Sequence, residues 1–137
     1  MSETTVLLVD DDEDFTSVLS ERFEARGLNV VTAGGAPEAA RQAARIKFDA
    51  VILDLLMPGM DGIETLKMLM RTNPDLQVIV LTGHATVDRG IEAMKAGAMD
   101  FVEKPADIDG LMALIEEAKA KRVLLAQERM NKKEREA

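Results

Sequence analysis

Three runs in this chain are apolar at every position: Val6-Leu7-Leu8-Val9, Ala50-Val51-Ile52-Leu53 and Val78-Ile79-Val80-Leu81. None alternates apolar with polar residues, so none reads as a strand with one wet face. Strands buried on both faces belong to parallel sheets covered by helices. This pattern constrains the fold more than any other feature of the sequence.

The intervening segments supply the helices. Phe15, Val18, Leu19, Arg22 and Phe23 recur at helical spacing, and Gly27 stops them. Ala36 to Ile46 reads as a helix with Pro37 in its first turn. Gly62 to Arg71 is helical after a Pro58-Gly59 turn, and Thr86 to Ala96 is helical up to Gly97. Leu28 to Thr32 is β-branched and strand-like, Met99 to Val102 makes a short fifth strand, and the last helix starts near Asp107. Strand and helix alternate five times. The expected fold is α/β, a (βα)5 doubly wound, five-stranded parallel sheet in the order 2-1-3-4-5. In such sheets the site lies at the carboxyl ends of the strands, where the order reverses.

Composition removes several function classes. At 137 residues the chain has room for one domain. Without Cys there is no disulfide, thiolate metal site or thiol chemistry, and the single His84 disfavours His-rich metal sites and Ser-His-Asp triads. No G-x-G-x-x-G follows the first strand and no Walker A motif is present. A net charge of −8 argues against direct nucleic-acid binding by this domain. The start, Met1 to Thr5, lacks a signal-peptide pattern, and no apolar run is long enough to span a membrane, so a cytoplasmic protein is expected. The charge is uneven. Residues 119–137 carry seven basic and three acidic side chains, which leaves an acidic body of −12 before a basic, helix-prone tail of +4.

Four strands end in reactive or charged side chains: Asp10-Asp11-Asp12 after the first, Asp54 after the third, Thr82 after the fourth and Lys104 after the fifth. In a parallel sheet these converge on one edge. One Asp suffices to cap the following helix, so three in a row and a fourth on another strand need a further reason. Two carboxylates about 4 Å apart repel by roughly 4 kcal/mol at an effective dielectric of 20. Convergent acids therefore call for a cation, and oxygen ligands without His or Cys favour Mg²⁺. Asp54 has the chemistry of a nucleophile that accepts a phosphoryl group, and Asp10, Asp11, Thr82 and Lys104 supply the acids, hydroxyl and cation such a transfer needs. Lys104-Pro105 is a candidate cis peptide.

Four segments together closely resemble the response-regulator receiver domain of bacterial two-component signalling. They are Val9-Asp10-Asp11-Asp12, Leu53-Asp54-Leu55-Leu56-Met57-Pro58-Gly59-Met60-Asp61-Gly62, Leu81-Thr82-Gly83-His84-Ala85 and Phe101-Val102-Glu103-Lys104-Pro105. The resemblance spans about residues 4–120 and is strongest to receivers of nitrogen-regulator-class transcription activators. It implies a flavodoxin-like fold and a phosphoacceptor role for Asp54. It implies Mg²⁺ held by Asp10, Asp11, Asp54 and the backbone carbonyl of Leu56, and a phosphoryl-pairing role for Lys104. Thr82 matches the switch hydroxyl and Phe101 the switch aromatic; without a hydroxyl at Phe101 any switch works by packing, and the alternative reading of Phe101 is a constitutively buried core aromatic. Asp12 reads as a cap. The implied phosphoryl donor is a histidine kinase or a histidine phosphotransfer protein. The apolar Leu56 cannot orient an attacking water, so a phosphoryl group lasting minutes or longer is expected; His84 is either a second position that tunes its loss or a simple exposed loop residue.

The domain division is expected to be 1–120 for the receiver and 121–137 for a basic helical extension or linker. Ile108, Leu111, Ile115, Ala118 and Leu125 fall near a 3-4 spacing interrupted by Arg122 and Arg129, which gives a homodimeric coiled coil only partial support. Both a stand-alone receiver and a piece of a longer regulator are open readings. The enzyme alternative is a haloacid-dehalogenase-type phosphatase. Such enzymes place an Asp-x-Asp-x-Thr/Val nucleophile after the first strand. Here Glu13 and Phe15 follow the acids, and no Gly-Asp pair marks a late metal site.

Overall fold

The computed structural model describes residues 3–57, 60–83 and 87–136. The chain runs β1 (Thr5–Val9), α1 (Glu13–Glu24), β2 (Asn29–Ala33), α2 (Ala36–Arg45), β3 (Ala50–Asp54), β4 (Leu56–Met57), β5 (Met60–Asp61), α3 (Gly62–Thr72), β6 (Val78–Thr82), α4 (Val87–Lys95), β7 (Asp100–Glu103) and α5 (Ile108–Glu136). Five strands form one parallel sheet in the order β2-β1-β3-β6-β7. Counting only these five, the order is the expected 2-1-3-4-5.

Alternate residues of the apolar runs feed two separate cores, which is why the runs carry no polar positions. Leu7, Val9, Val51, Leu53, Val78 and Val80 pack with Ala39 of α2, Ile63, Leu66 and Leu69 of α3, and Ala93 of α4. Val6, Leu8, Ala50, Ile52, Ile79 and Leu81 pack with Leu19 and Phe23 of α1 and Leu111, Ile115 and Ala118 of α5. Full burial of each large side chain is worth about 1.5–3 kcal/mol. A one-residue slip of any central strand would exchange the two sets and break both layers.

Local signals stop the helices where the sequence says they should. Gly27 and Gly97 adopt positive φ, 89° and 112°, just beyond α1 and α4. The N–H of Leu28 then returns to the Phe23 carbonyl, and that of Ala98 to the Ala93 carbonyl. β7 is one residue later than expected, although the Met99 N–H already bonds the Val78 carbonyl. The expected start of α4 at Thr86 lies outside the described residues. The antiparallel ribbon β4–β5, pairing Leu56 with Asp61 and Met57 with Met60, has no counterpart in the sequence reading.

Helix α5 runs unbroken through position 120. The spacing of Leu111, Ile115 and Ala118 has its explanation in the helix's own sheet, where all three are buried. The basic stretch beyond them turns back onto the body. Arg122 Nε and Nη2 donate to Asp49 Oδ1 at 3.0 and 2.6 Å. The other Asp49 oxygen accepts the Thr5 N–H at 2.9 Å. Arg129 pairs with Asp75 at 2.6 Å, and Lys119 donates to the Thr4 hydroxyl at 3.0 Å. These contacts lie at the amino edge of the sheet, opposite the reactive strand ends.

Candidate functional site

Each strand delivers its terminal side chain to one place because the strands are parallel and in register. Asp10 follows β1, is 5 % exposed, and its Oδ1 accepts the Asp12 N–H at 3.0 Å. Asp54 ends β3, is equally buried, and pairs across the ladder with Leu81. Asp11 is exposed beside them. One carboxylate oxygen from each of Asp10, Asp11 and Asp54 lies within 4.8 Å of the others. Lys104 reaches in from the end of β7, its backbone N–H tied to the Thr82 carbonyl at 2.8 Å. Its Nζ lies 3.1 Å from Asp54 Oδ2 and 3.6 Å from Asp10 Oδ2. The Lys104-Pro105 peptide is cis.

Electrostatics mark this cluster as one that needs more positive charge. Burial pushes the Asp10 carboxyl up from its ordinary 3.8 to about 6. The Asp12 N–H opposes that shift, the Asp54 charge adds to it, and Lys104 opposes it. Asp10 Oδ2 is buried and accepts no hydrogen bond among the described residues. A buried carboxylate oxygen without a donor is costly unless a cation approaches it. The donor set of three carboxylates, one of them exposed, fits a hard divalent ion that keeps several waters.

Thr82 ends β6 fully buried, and its hydroxyl has no hydrogen-bond partner among the described residues. Phe101 pairs with Val80 in the neighbouring strand and packs, partly buried, against the α2–α3–α4 core. Its ring lies hard against α4. A Cβ on Gly90 would sit 2.6 Å from Phe101 Cδ2. Asp12 is the N-cap of α1, as expected, and accepts the Phe15 N–H at 3.1 Å. The Leu56 backbone lies in β4, two residues past Asp54. His84, the second position proposed to tune phosphoryl loss, lies outside the described residues.

The sequence reading missed three contributors. Phe15 presents its ring to Lys104 Nζ at 4.5 Å from the ring centroid. Gly62 lets α3 approach the segment after Asp54, where a Cβ would lie 2.6 Å from Leu55 Cα. Asp61 caps α3 through the Ile63 and Glu64 N–H groups and also binds Arg89 of α4 at 2.8 Å. Slight burial pushes the Asp61 carboxyl up, but those two N–H groups and the Arg89 charge outweigh it and hold it below its usual range. Asp61 and Gly62 carried a faint signal, as a cap residue and a glycine at a helix start. The contact of Phe15 with Lys104 depends on side-chain directions.

Residues 6–116 match the response regulator receiver domain family. The chain is 38% identical over 115 residues to the transcriptional regulatory protein ZraR of Escherichia coli K12, covering 84% of this chain and 26% of that protein. It is 36% identical over 118 residues to the DNA-binding transcriptional regulator NtrC of the same organism, covering 86% and 25%. The chain thus spans about a quarter of the length of these curated relatives. Among solved structures, a response regulator receiver domain protein from Clostridium thermocellum superposes with a TM-score of 0.84 at 31% identity, covering 89% of this chain and 98% of that one. NtrX from Brucella abortus superposes with a TM-score of 0.85 at 27% identity, covering 92% and 29%.

Proposed function

The chain belongs to the response regulator receiver domain family, and from that premise we propose that Asp54 is its phosphoacceptor. A carboxylate oxygen of Asp54 attacks phosphorus on a phosphohistidine of a sensor kinase or phosphotransfer protein. The P–N bond breaks and the imidazole leaves with its electron pair. The observation that carries this reading is the company Asp54 keeps: buried at a strand end, 3.1 Å from Lys104, with two further carboxylates within 4.8 Å.

Asp10, Asp11, Asp54 and the Leu56 carbonyl would hold Mg²⁺. When bound, Mg²⁺ supplies positive charge against the phosphoryl oxygens and relieves the repulsion among the acids. Lys104 orients Asp54 and then pairs with the added phosphoryl charge. The Thr82 hydroxyl, without a partner among the described residues, gains one in the phosphoryl oxygens. Its inward movement gives the Phe101 ring room to follow, and the α4–β7–α5 face carries the change outward. Leu56 slows loss of the phosphoryl group because its side chain cannot orient a water, so Leu56→Asn shortens the phosphoryl lifetime.

Residues 1–120 form the receiver unit in this reading, and 121–137 lead toward a partner, a second copy or the rest of a cytoplasmic transcription regulator. No helix among the described residues is long and apolar enough to cross a membrane. The haloacid-dehalogenase-type alternative has no support in a chain of this family.

The test is incubation with Mg²⁺ and acetyl phosphate followed by intact mass. The wild type gains one phosphoryl group and Asp54→Ala gains none. A gain that survives Asp54→Ala sinks the assignment.

A further inference from the structure

Asp12 and Phe15 are not used by the chemistry above, yet they stand at the mouth of the same site. Asp12 Oδ1 accepts the Phe15 N–H at 3.1 Å and so fixes the first turn of α1. That turn carries the Phe15 ring to 4.5 Å from Lys104 Nζ, within cation–π range. The lysine is therefore held on two sides, by Asp54 and Asp10 on one and by an aromatic face on another.

A lysine ammonium on four methylenes is a mobile donor. The side chain of Lys104 is 30 % exposed, so water competes for it. An aromatic face attracts the ammonium without neutralising it and without accepting a proton. It shields the lysine from solvent and leaves its charge available to an anion. A carboxylate in the same place would pair with the lysine and hold it away from the phosphoryl group.

We propose that Phe15 is a positioning residue that holds Lys104 over Asp54 through its ring face, with the Asp12 cap setting the ring's place. The proposal deepens the phosphoacceptor reading and rests on it for its kinetic consequence.

The experiment is a time course of phosphoryl gain by intact mass with Mg²⁺ and acetyl phosphate, a donor that needs no docking surface. Phe15→Leu keeps an apolar side chain and removes the ring. Its initial rate is expected to fall about 3–10-fold, while Phe15→Tyr stays within about twofold of wild type. A packing role alone would be served by Leu. Lys104 also carries a direct signature. Its Cε protons are expected to be shifted upfield by the ring in the wild type and in Phe15→Tyr, and to return to ordinary values in Phe15→Leu.

Equal rates for Phe15→Leu and wild type overturn the proposal, and so does equal slowing of the Leu and Tyr variants. An unshifted Lys104 resonance in the wild type overturns it even if Phe15→Leu does not fold. A wild type that gains no mass defeats the phosphoacceptor reading instead, and the Lys104 resonance then decides the pairing by itself.

Discussion

At the carboxyl edge of the sheet, Asp10, Asp11 and Asp54 gather around Lys104, whose Nζ reaches Asp54 and Asp10. At the amino edge, Asp49 and Asp75 each have an arginine from α5. Asp49 also accepts a backbone N–H, so both its oxygens are engaged. Both edges bury acids at strand or loop ends, and their residue types are similar. The difference lies in the balance of charge. A matched acid holds the fold together, whereas an excess of acid around one cation is a standing cost that a ligand can relieve. The opposed signs of body and tail follow the same division: basic residues of the tail neutralise the amino edge and leave the carboxyl edge negative.

Substitutions at the two edges should therefore affect different properties. The largest effect is expected for Lys104→Gln, which removes the cation facing Asp54. The rate of phosphoryl gain from acetyl phosphate should fall roughly 100-fold, and the metal-free protein should also lose stability in urea unfolding, because the buried Asp54 and Asp10 lose their cation. Asp49→Ala should affect stability alone. It leaves Arg122, only 26 % exposed, without its carboxylate. About 3 kcal/mol of stability should be lost in urea titration, while the phosphoryl rate per folded molecule stays unchanged.

A pH effect should appear at the carboxyl edge. Burial raises the Asp10 carboxyl to about 6. The metal-free folded protein then holds that proton more tightly than the unfolded chain. Asp10 therefore contributes stability that is full below about pH 4 and lost as pH rises through about 6. Mg²⁺ must displace the same proton, so its affinity should fall about tenfold per pH unit below 6, measured by calorimetric titration. The smallest effect is expected for Arg129→Ala. This arginine is 55 % exposed, and its loss should cost under about 1 kcal/mol.

The sheet and the reactive strand ends were legible in the sequence because each depends on one contiguous segment. Val51-Ile52-Leu53-Asp54 announces a doubly buried strand and its terminal acid together. Gly27 and Gly97 announce helix stops. The amino-edge clamp was not legible, because Asp49 and Arg122 are 73 positions apart and neither sits in a local pattern. The contact between Phe15 and Lys104 depends on the direction of a ring from the first turn of α1. The seat of Phe101 depends on the missing side chain of Gly90, which in sequence is only a glycine inside a helix. The β4–β5 ribbon forms between segments too short for periodicity to register.

The most direct test of the charge-balance account is the thermal midpoint of Asp10→Asn beside that of Asp49→Asn, both at pH 7.5 in excess chelator. The same chemical change should move the two midpoints in opposite directions. Asp10→Asn should rise above wild type by a few degrees, because it removes a buried, under-compensated charge, and it should lose most of the stabilisation that Mg²⁺ gives the wild type. Asp49→Asn should fall, because it weakens a satisfied pair. If both midpoints fall alike and Mg²⁺ stabilises Asp10→Asn as much as wild type, the carboxyl edge is ordinary structural charge and the account is wrong.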